Sequence, residues 1–232
     1  MTGTWLNIAT VILGGIIGLA FGARIPDRLK ATVIAGMGLF TAAMGLQMFM
    51  KTENPLIVLG SLLIGTLLGE WWRIEDGLQN LGKFLEQRFS REGDTGSNKF
   101  VRGFLTASLL FCVGPMTILG SIQDGLTGDY SLLAVKSVLD GFASLAFTST
   151  LGVGVMFSTL VIFVFQGGIS LFAAQLNAVV TAPMMAELTA TGGVILLGLA
   201  LSSLLEIKKI RVGNMLPGLL IAPVLVWLVG LF

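Results

Sequence analysis

Long apolar stretches, each about the length needed to cross a lipid bilayer, dominate this 232-residue chain. A transmembrane helix needs about 20 mostly apolar residues. Stretches of this kind lie at 3–23, 31–50, 55–72, 101–121, 131–151, 153–173, 189–205 and 214–232. They predict an all-α fold, a polytopic transmembrane helix bundle of about eight spans that forms a single domain over 1–232.

The composition supports this class and excludes others. Charged residues make up 12% of the chain and hydrophobic residues 54%, whereas a soluble domain has about 25% charged residues, so most of the surface is expected to face lipid. The net charge of +1 without a basic cluster argues against a nucleic-acid partner. With no histidine and Cys112 as the single cysteine, we expect no metal site, no cofactor and no enzymatic activity.

The positive charges predict an orientation, because short loops rich in Lys and Arg remain cytoplasmic. Three loops hold 12 of the 14 Lys and Arg residues, and these loops follow spans one, three and seven. The residues are Arg24, Arg28 and Lys30; Arg73, Lys83, Arg88, Arg91, Lys99 and Arg102; and Lys208, Lys209 and Arg211. All three loops have odd numbers, so both termini are predicted to lie outside.

The longest cytoplasmic segment, 73–100, is predicted to form an amphipathic helix and a linker between two halves of the chain. Its apolar residues recur at helical spacing, and the tract 91–98 (REGDTGSN) is typical of a flexible connection. The residues of the predicted apolar side are Ile74, Leu78, Leu81, Leu85 and Phe89.

The count of spans depends on residues 141–186, which contain no charge. They fit two full spans plus a linker, or one span plus a re-entrant hairpin, which gives eight or seven spans. Residues 174–185 are too short and too interrupted for another span. Pro183 therefore predicts a half-helix or an ordered outer loop there.

Small residues recur at every fourth position in two spans and predict close helix packing. They are Gly14, Gly18 and Gly22 in the first span, and Ser61, Gly65 and Gly69 in the third. There is also a weak internal similarity of 56–74 to 194–210 and of 5–15 to 212–223. It fits either a structural repeat, as in many transporters, or chance matches in a chain rich in Leu, Gly and Ile.

The fifth span carries the most informative polar residues. Lys136, Asp140, Ser144 and Thr148 recur every four residues and so share one helix face. Charged residues near the bilayer centre usually face a bundle interior or a water-filled path. The pattern predicts a substrate- or ion-binding site, and the alternative is that Lys136 and Asp140 only neutralise each other and hold helices together.

The fourth span contains a predicted break at Gly114 and Pro115. Pro115 cannot donate a hydrogen bond to the carbonyl of Phe111, so freed carbonyl groups could serve as ligands, as in discontinuous transporter helices. A simple proline kink is the alternative. Thr117 in the same span and Asn7 in the first complete the candidate binding residues. Asp124 and Asp129, nearer the outside, fit an acidic entrance or a plain solvated loop.

Taken together, these segments resemble the YqgA/YdfK-like family of bacterial inner-membrane proteins. The resemblance covers essentially the full chain and implies a compact polytopic protein of the bacterial cytoplasmic membrane. It brings no catalytic or binding residues. The segments that carry it are GTWLNIATVILGGIIG, KATVIAGMGLFTAAMG, LGSLLIGTLLGEWW, FLTASLLFCVGPMTILGSIQDG, KSVLDGFASLAFTSTLGVGV and VGNMLPGLLIAP.

The sequence favours a small secondary transporter or ion-coupled permease for a small solute or ion, embedded in the lipid bilayer. A structural or accessory subunit of a membrane complex is the main alternative. An intramembrane aspartyl hydrolase using Asp124 and Asp140 is weaker, because it needs two neighbouring carboxylates at one depth. The glycine-lined faces are compatible with a homodimer as well as with packing inside one chain. Substrate, coupling ion and direction of transport stay open.

Overall fold

The computed structural model describes residues 1–22, 26–89 and 97–230. Some of the predicted features lie outside the described residues. They are Arg24, Arg91, most of the predicted 91–98 connection and the last two residues of the eighth span. Within the described ranges every regular element is a helix, and the predicted all-α class is confirmed. The helices are α1 Thr2–Gly22, α2 Asp27–Phe49, α3 Pro55–Trp72, α4 Ile74–Phe89, α5 Ser97–Val113, α6 Pro115–Thr127, α7 Ser131–Leu151, α8 Ser158–Leu171, α9 Ala173–Val179, α10 Ala182–Leu199 and α11 Pro217–Val229.

Short non-α turns extend three of these helices. A 3-10 turn at Val153–Phe157 leads into α8, a π turn at Ala200–Leu204 extends α10, and a 3-10 turn at Val212–Met215 precedes α11. Over the described ranges, seven helical segments are long and apolar enough to cross a membrane, or eight if the bent pair α5 and α6 is one span. The predicted polytopic bundle is therefore confirmed.

Residues 141–186 contain no bent pair. Ser131–Leu151 and Val153–Leu171 are two separate segments of spanning length, and α9 follows as a short linker. The bend lies in the predicted fourth span, where Lys99–Val113 and Met116–Thr127 meet at 62°. This matches the arrangement of two full spans plus a linker.

The seventh span begins earlier than predicted. The predicted half-helix corresponds to α9, Ala173–Val179, but the assignment of Pro183 to that segment was wrong, since α10 starts at Ala182 with Pro183 in its first turn. Thr181 caps this helix by accepting a hydrogen bond from the backbone N–H of Met184. Proline is well tolerated in the first turn, because the N–H groups there have no partner within the helix.

The chain forms two compact units. Unit one comprises Met1–Ile34, Gln79–Cys112 and Met116–Ala178, and unit two comprises Ala35–Leu78, Val113–Pro115 and Val179–Phe232. Each unit therefore combines segments from early and late parts of the sequence.

Unit one is built around the contact of α1 with α7. A Cβ atom added to Gly14, Gly18 or Gly22 would collide with a backbone carbonyl oxygen of α7. The colliding carbonyls belong to Gly141, Leu145 and Ser149, so residue numbers rise together and the two helices run parallel. The predicted glycine packing face is confirmed here, and it lets the two backbones approach closely.

Unit two uses the same device between α3 and the start of α11. A Cβ on Gly65 would collide with the backbone of Gly218, and one on Gly69 would collide with the carbonyl of Asn214. Ser61 is fully buried and donates to the carbonyl of Ile57, at 2.6 Å. The second predicted packing face is thus confirmed as well.

Large apolar side chains remain exposed along the spanning helices, as expected for surfaces in contact with lipid. Examples are Leu56, Trp71 and Phe142, each at least 70% exposed. In α4 the predicted apolar side is only partly covered, since Leu85 is buried and Leu81 is exposed. The side chain of Phe89 lies outside the described residues.

Candidate functional site

The four polar residues of α7 lie on a buried face of unit one. Lys136, Asp140, Ser144 and Thr148 are each at most 8% exposed. Nζ of Lys136 forms an ion pair with Oδ2 of Asp140, one helical turn away. Asp140 lies about 14 Å along the axis from Ser131, in a helix about 31 Å long. Asp140 is therefore near the middle of a spanning helix, with Lys136 one turn nearer its start.

Asn7 of α1 joins this pair to α8. Its Nδ2 group donates to Oδ2 of Asp140 at 3.0 Å and to Oε1 of Gln166 at 3.1 Å. Nε2 of Gln166 donates in turn to Oγ1 of Thr4 at 3.3 Å. Asn7, Gln166 and Thr4 are completely buried, so the network is a polar centre connecting three helices inside unit one.

Close packing of α1 on α7 positions the network. The glycines of α1 bring the two backbones together, and Oγ of Ser144 donates to the carbonyl of Val11 at 2.7 Å. Oγ1 of Thr10 donates to the carbonyl of Asn7 at 2.9 Å. These bonds fix the register in which Asn7 reaches Asp140.

Some polar atoms of the site make no hydrogen bond within the described part of the chain. They include Oδ1 of Asn7 and Oγ1 of Thr148, both fully buried atoms. Carboxylate and amide oxygens are hard ligands that suit small cations. The arrangement can therefore hold a cation at Asp140 if the Lys136 ammonium moves away, with Asn7 Oδ1 as a neighbouring ligand.

The structure contains the predicted helix break at Gly114 and Pro115, but the carbonyl that was expected to be free is hydrogen-bonded. α5 ends at Val113 and α6 starts at Pro115. The carbonyl of Phe111 accepts a hydrogen bond from Oγ1 of Thr117, at 3.0 Å. The prediction that this carbonyl is unpaired was wrong, because a nearby threonine side chain replaces the missing backbone donor.

Gly114 and Pro115 group with unit two, whereas Thr117 and the Asp140 network belong to unit one. The structure thus brings five of the eight predicted residues onto or against the buried face of α7. They are Lys136, Asp140, Ser144, Thr148 and Asn7. Thr117 instead donates a hydrogen bond at the break between α5 and α6.

Asp124 and Asp129 have different surroundings. Asp124 is 3% exposed and its Oδ2 accepts from the backbone N–H of Gly3 at 3.1 Å, with the Met1 α-ammonium at 3.2 Å. A plain solvated loop was therefore the wrong description for Asp124. Asp129 is exposed, and hydrogen bonds from the hydroxyl and backbone N–H of Ser131 lower the pKa of its carboxyl.

Sequence reasoning missed one buried carboxylate, Glu187 of α10 in unit two. It is 1% exposed and accepts from the hydroxyl of Thr52 at 2.7 Å and from the backbone N–H groups of Glu53 and Asn54, both at 2.8 Å. Its position in an otherwise apolar stretch was the available signal. Gln166 forms an interhelical hydrogen bond with Asn7, a link that the sequence did not predict.

The fold and this network define a polytopic, all-helical membrane protein with a buried ionisable centre. Residues 2–227 match the family described as "Protein of unknown function (DUF554)", and the chain belongs to that family. It is 35% identical to the "Uncharacterized membrane protein YdfK" of Bacillus subtilis (strain 168), over 100% of this chain and 98% of that protein. It is 32% identical to the "Uncharacterized protein YqgA" of Escherichia coli (strain K12), over 95% and 94% of the two chains. No solved structure matches.

Proposed function

We propose that the protein is a small secondary transporter or ion-coupled permease whose coupling carboxylate is Asp140. The observation that carries the proposal is the buried Lys136–Asp140 pair with the unpaired Oδ1 of Asn7 beside it. Intramembrane ionisable residues are rare and costly, and they commonly mark ion or substrate pathways.

The geometry suggests a competition for one carboxylate. In the arrangement described above, the Lys136 ammonium neutralises Asp140. A proton or small cation arriving at Asp140 replaces that ammonium, because a single carboxylate cannot fully pair with both. Movement of Lys136 then couples ion binding to a change in the packing of α1 on α7, which is what alternating access requires.

The test is transport by the purified protein in proteoliposomes. Solid-supported-membrane currents or tracer fluxes are recorded with sodium and proton gradients and a panel of amino acids and small ions. We expect a substrate-dependent signal in wild type that is lost in Asp140→Asn. Asp129→Asn is the matched control, since it makes the same chemical change at an exposed carboxylate outside the spans.

Loss of folding is separated from loss of transport by the double variant Lys136→Met/Asp140→Asn, which removes both charges. Transport should be absent there as well, although the variant is folded. A folded double variant that transports as well as wild type would contradict the mechanism.

An accessory role is the second candidate, favoured by the same ion pair, which satisfies both charges within one chain. It predicts that joint neutralisation leaves the protein and its complexes unaffected. Asp124 and Asp140 bind different partners, at Gly3 and at Asn7 respectively, which gives no support to an aspartyl hydrolase.

We further propose the bacterial cytoplasmic membrane as the location, with both termini outside. The distribution of Lys and Arg supports this orientation. Single cysteines at Gly230 and at Lys83, in a Cys112→Ser background, would test it with an impermeant maleimide on intact cells. Labelling of position 230 alone is expected, and labelling of position 83 alone would reverse the orientation.

A further inference from the structure

Besides Ser108 of α5, three buried hydroxyl groups in unit one have no hydrogen-bond partner in the described part of the chain. They belong to Thr106 of α5, Thr148 of α7 and Ser158 at the start of α8, which are 0%, 2% and 0% exposed. A helical hydroxyl can donate to a carbonyl one turn earlier, as Ser137 does to Leu133 at 2.6 Å. A buried hydroxyl without any partner is unfavourable, so a ligand or water is expected beside these three.

The packing of the helices places the three residues at one level. A Cβ added to Gly103 of α5 would lie 3.2 Å from Cβ of Leu151 and 3.1 Å from Cγ2 of Val155. Thr106, Thr148 and Ser158 are each three residues from one of these contact residues.

In each of the three helices, this offset of three residues leads toward the same end of unit one. Residue numbers along α5 and α6 rise as those along α7 fall, since Gly103 adjoins Leu151 and Gly120 adjoins Leu133. α8 also runs opposite to α1, because Met156 just before α8 lies beside Gly15 while Gln166 near the other end bonds to Thr4. A step of three residues therefore moves all three chains toward the same end of unit one, by about one turn.

The hydroxyl cluster, Thr106, Thr148 and Ser158, continues the polar face of α7. Thr148 lies two turns beyond Asp140 on that face, with Ser144 between them. A Cβ added to Gly15 of α1 would lie 3.4 Å from Oγ of Ser144 and beside the side chain of Met156. This part of α7 and the turn that precedes α8 therefore approach the same turn of α1.

Apolar residues close in sequence to Thr106 and Ser158 form a buried cluster of their own. Leu85, Phe100 and Phe104 form a buried cluster, and Phe157 packs against it. The rings of Phe100 and Phe157 have centroids 5.3 Å apart.

We propose that the hydroxyl cluster is a hydrated binding site for a small monovalent cation, one step along the path from Asp140 toward the C-terminal end of α7. Neutral hydroxyl oxygens are hard ligands that replace water around such an ion, and the neighbouring carboxylate of Asp140 favours a cation over an anion. Describing the site as part of a path rests on the proposed transport function, whereas its hydration does not.

Silver ion, a small monovalent cation that binds thiols, is the probe. Thr106→Cys, Thr148→Cys and Ser158→Cys are made singly in the Cys112→Ser background, and each protein is studied in proteoliposomes. Protection of each cysteine from a later maleimide reaction in denaturant measures how fast silver has bound. Two matched controls are Ser61→Cys, a buried hydroxyl position whose native group is hydrogen-bonded, and Phe142→Cys, a position exposed on α7.

We expect silver to bind at least two of the three cluster positions about tenfold faster than either control, because only a hydrated thiol ionises readily. Rates equal to those of the controls at two or more of the three positions would overturn the inference. The silver reaction needs no flux, so a protein that fails to transport still gives a result here. Conversely, loss of flux in Asp140→Asn with unreactive cluster cysteines would leave the proposed function standing and remove this site.

Discussion

Asn7 and Asp140 are 133 positions apart in the sequence, yet Nδ2 of Asn7 donates a hydrogen bond to Oδ2 of Asp140 at 3.0 Å. The same amide group also donates to Gln166. One fully buried side chain of α1 therefore links the ionisable pair on α7 to the amide on α8. Loss of this side chain would therefore remove both links.

Replacing Asn7 by Leu should destabilise the protein. The variant keeps a similar volume but leaves acceptors on Asp140 and Gln166 without their donor, at a cost of about 1–3 kcal/mol. Thermal unfolding in detergent should show a lower Tm than wild type. Asn177→Leu is the control, because Asn177 is exposed on α9, and an equal loss of Tm in the two variants would contradict this account.

The sequence was sufficient to identify the ionisable pair, because Lys136 and Asp140 stand out in an apolar span and share its face. Which residues complete the site could not be predicted in the same way. The link from Asn7 to Gln166 depends on the register of α1 against α7 and α8, which is set by glycine contacts far apart in the sequence. Similarly, the hydroxyl of Thr117 donates a hydrogen bond to the carbonyl of Phe111. This bond depends on the rotamer of Thr117, which the spacing of residues in the sequence does not specify.

The span boundaries show a related limit. Pro183 was interpreted as an interruption, but Thr181 supplies a cap and turns the same proline into a favourable first-turn residue. Glu187 was overlooked because its partners are two backbone N–H groups and a hydroxyl of a loop more than 130 residues earlier. Only the folded arrangement of unit two reveals them.

Gly14→Ala should destabilise unit one, since the new methyl group would collide with the carbonyl oxygen of Gly141. Overpacking of this kind costs about 1–3 kcal/mol. Gly168→Ala in α8 is the matched control, because a Cβ there meets nothing within 4 Å, and alanine favours helix over glycine by up to about 1 kcal/mol. Tm should fall in the first variant and stay or rise in the second. The opposite order would mean that α1 and α7 do not pack through Gly14.

Glu187→Ala should destabilise unit two by about 2 kcal/mol or more, since it leaves the backbone N–H of Glu53 without its acceptor and that of Asn54 with only the Thr52 hydroxyl. Glu187→Gln should cost less, because its amide oxygen still accepts from those groups and its NH2 group can donate to the Thr52 hydroxyl. The Tm should therefore be highest for wild type, lower for Glu187→Gln and lowest for Glu187→Ala. Glu53→Ala, at an exposed side chain of the same loop, should behave as wild type, and a Glu187→Ala variant as stable as that control would be inconsistent with a structural role for Glu187.

Single and double variants of the Lys136–Asp140 ion pair distinguish a structural role from a functional one. Lys136→Met or Asp140→Asn alone leaves one buried charge without its partner, which costs about 3–5 kcal/mol, whereas removal of both is often nearly neutral. A double-mutant cycle on Tm and yield should therefore show strong coupling between the two positions. If the pair only holds helices together, the double variant should recover every property of wild type. If Asp140 carries the coupling ion, the double variant should recover stability but no substrate-dependent current, because no carboxylate remains to bind the ion. Measured together on one preparation, unfolding and flux decide between these outcomes, and full recovery of both would exclude a direct role of Asp140 in transport.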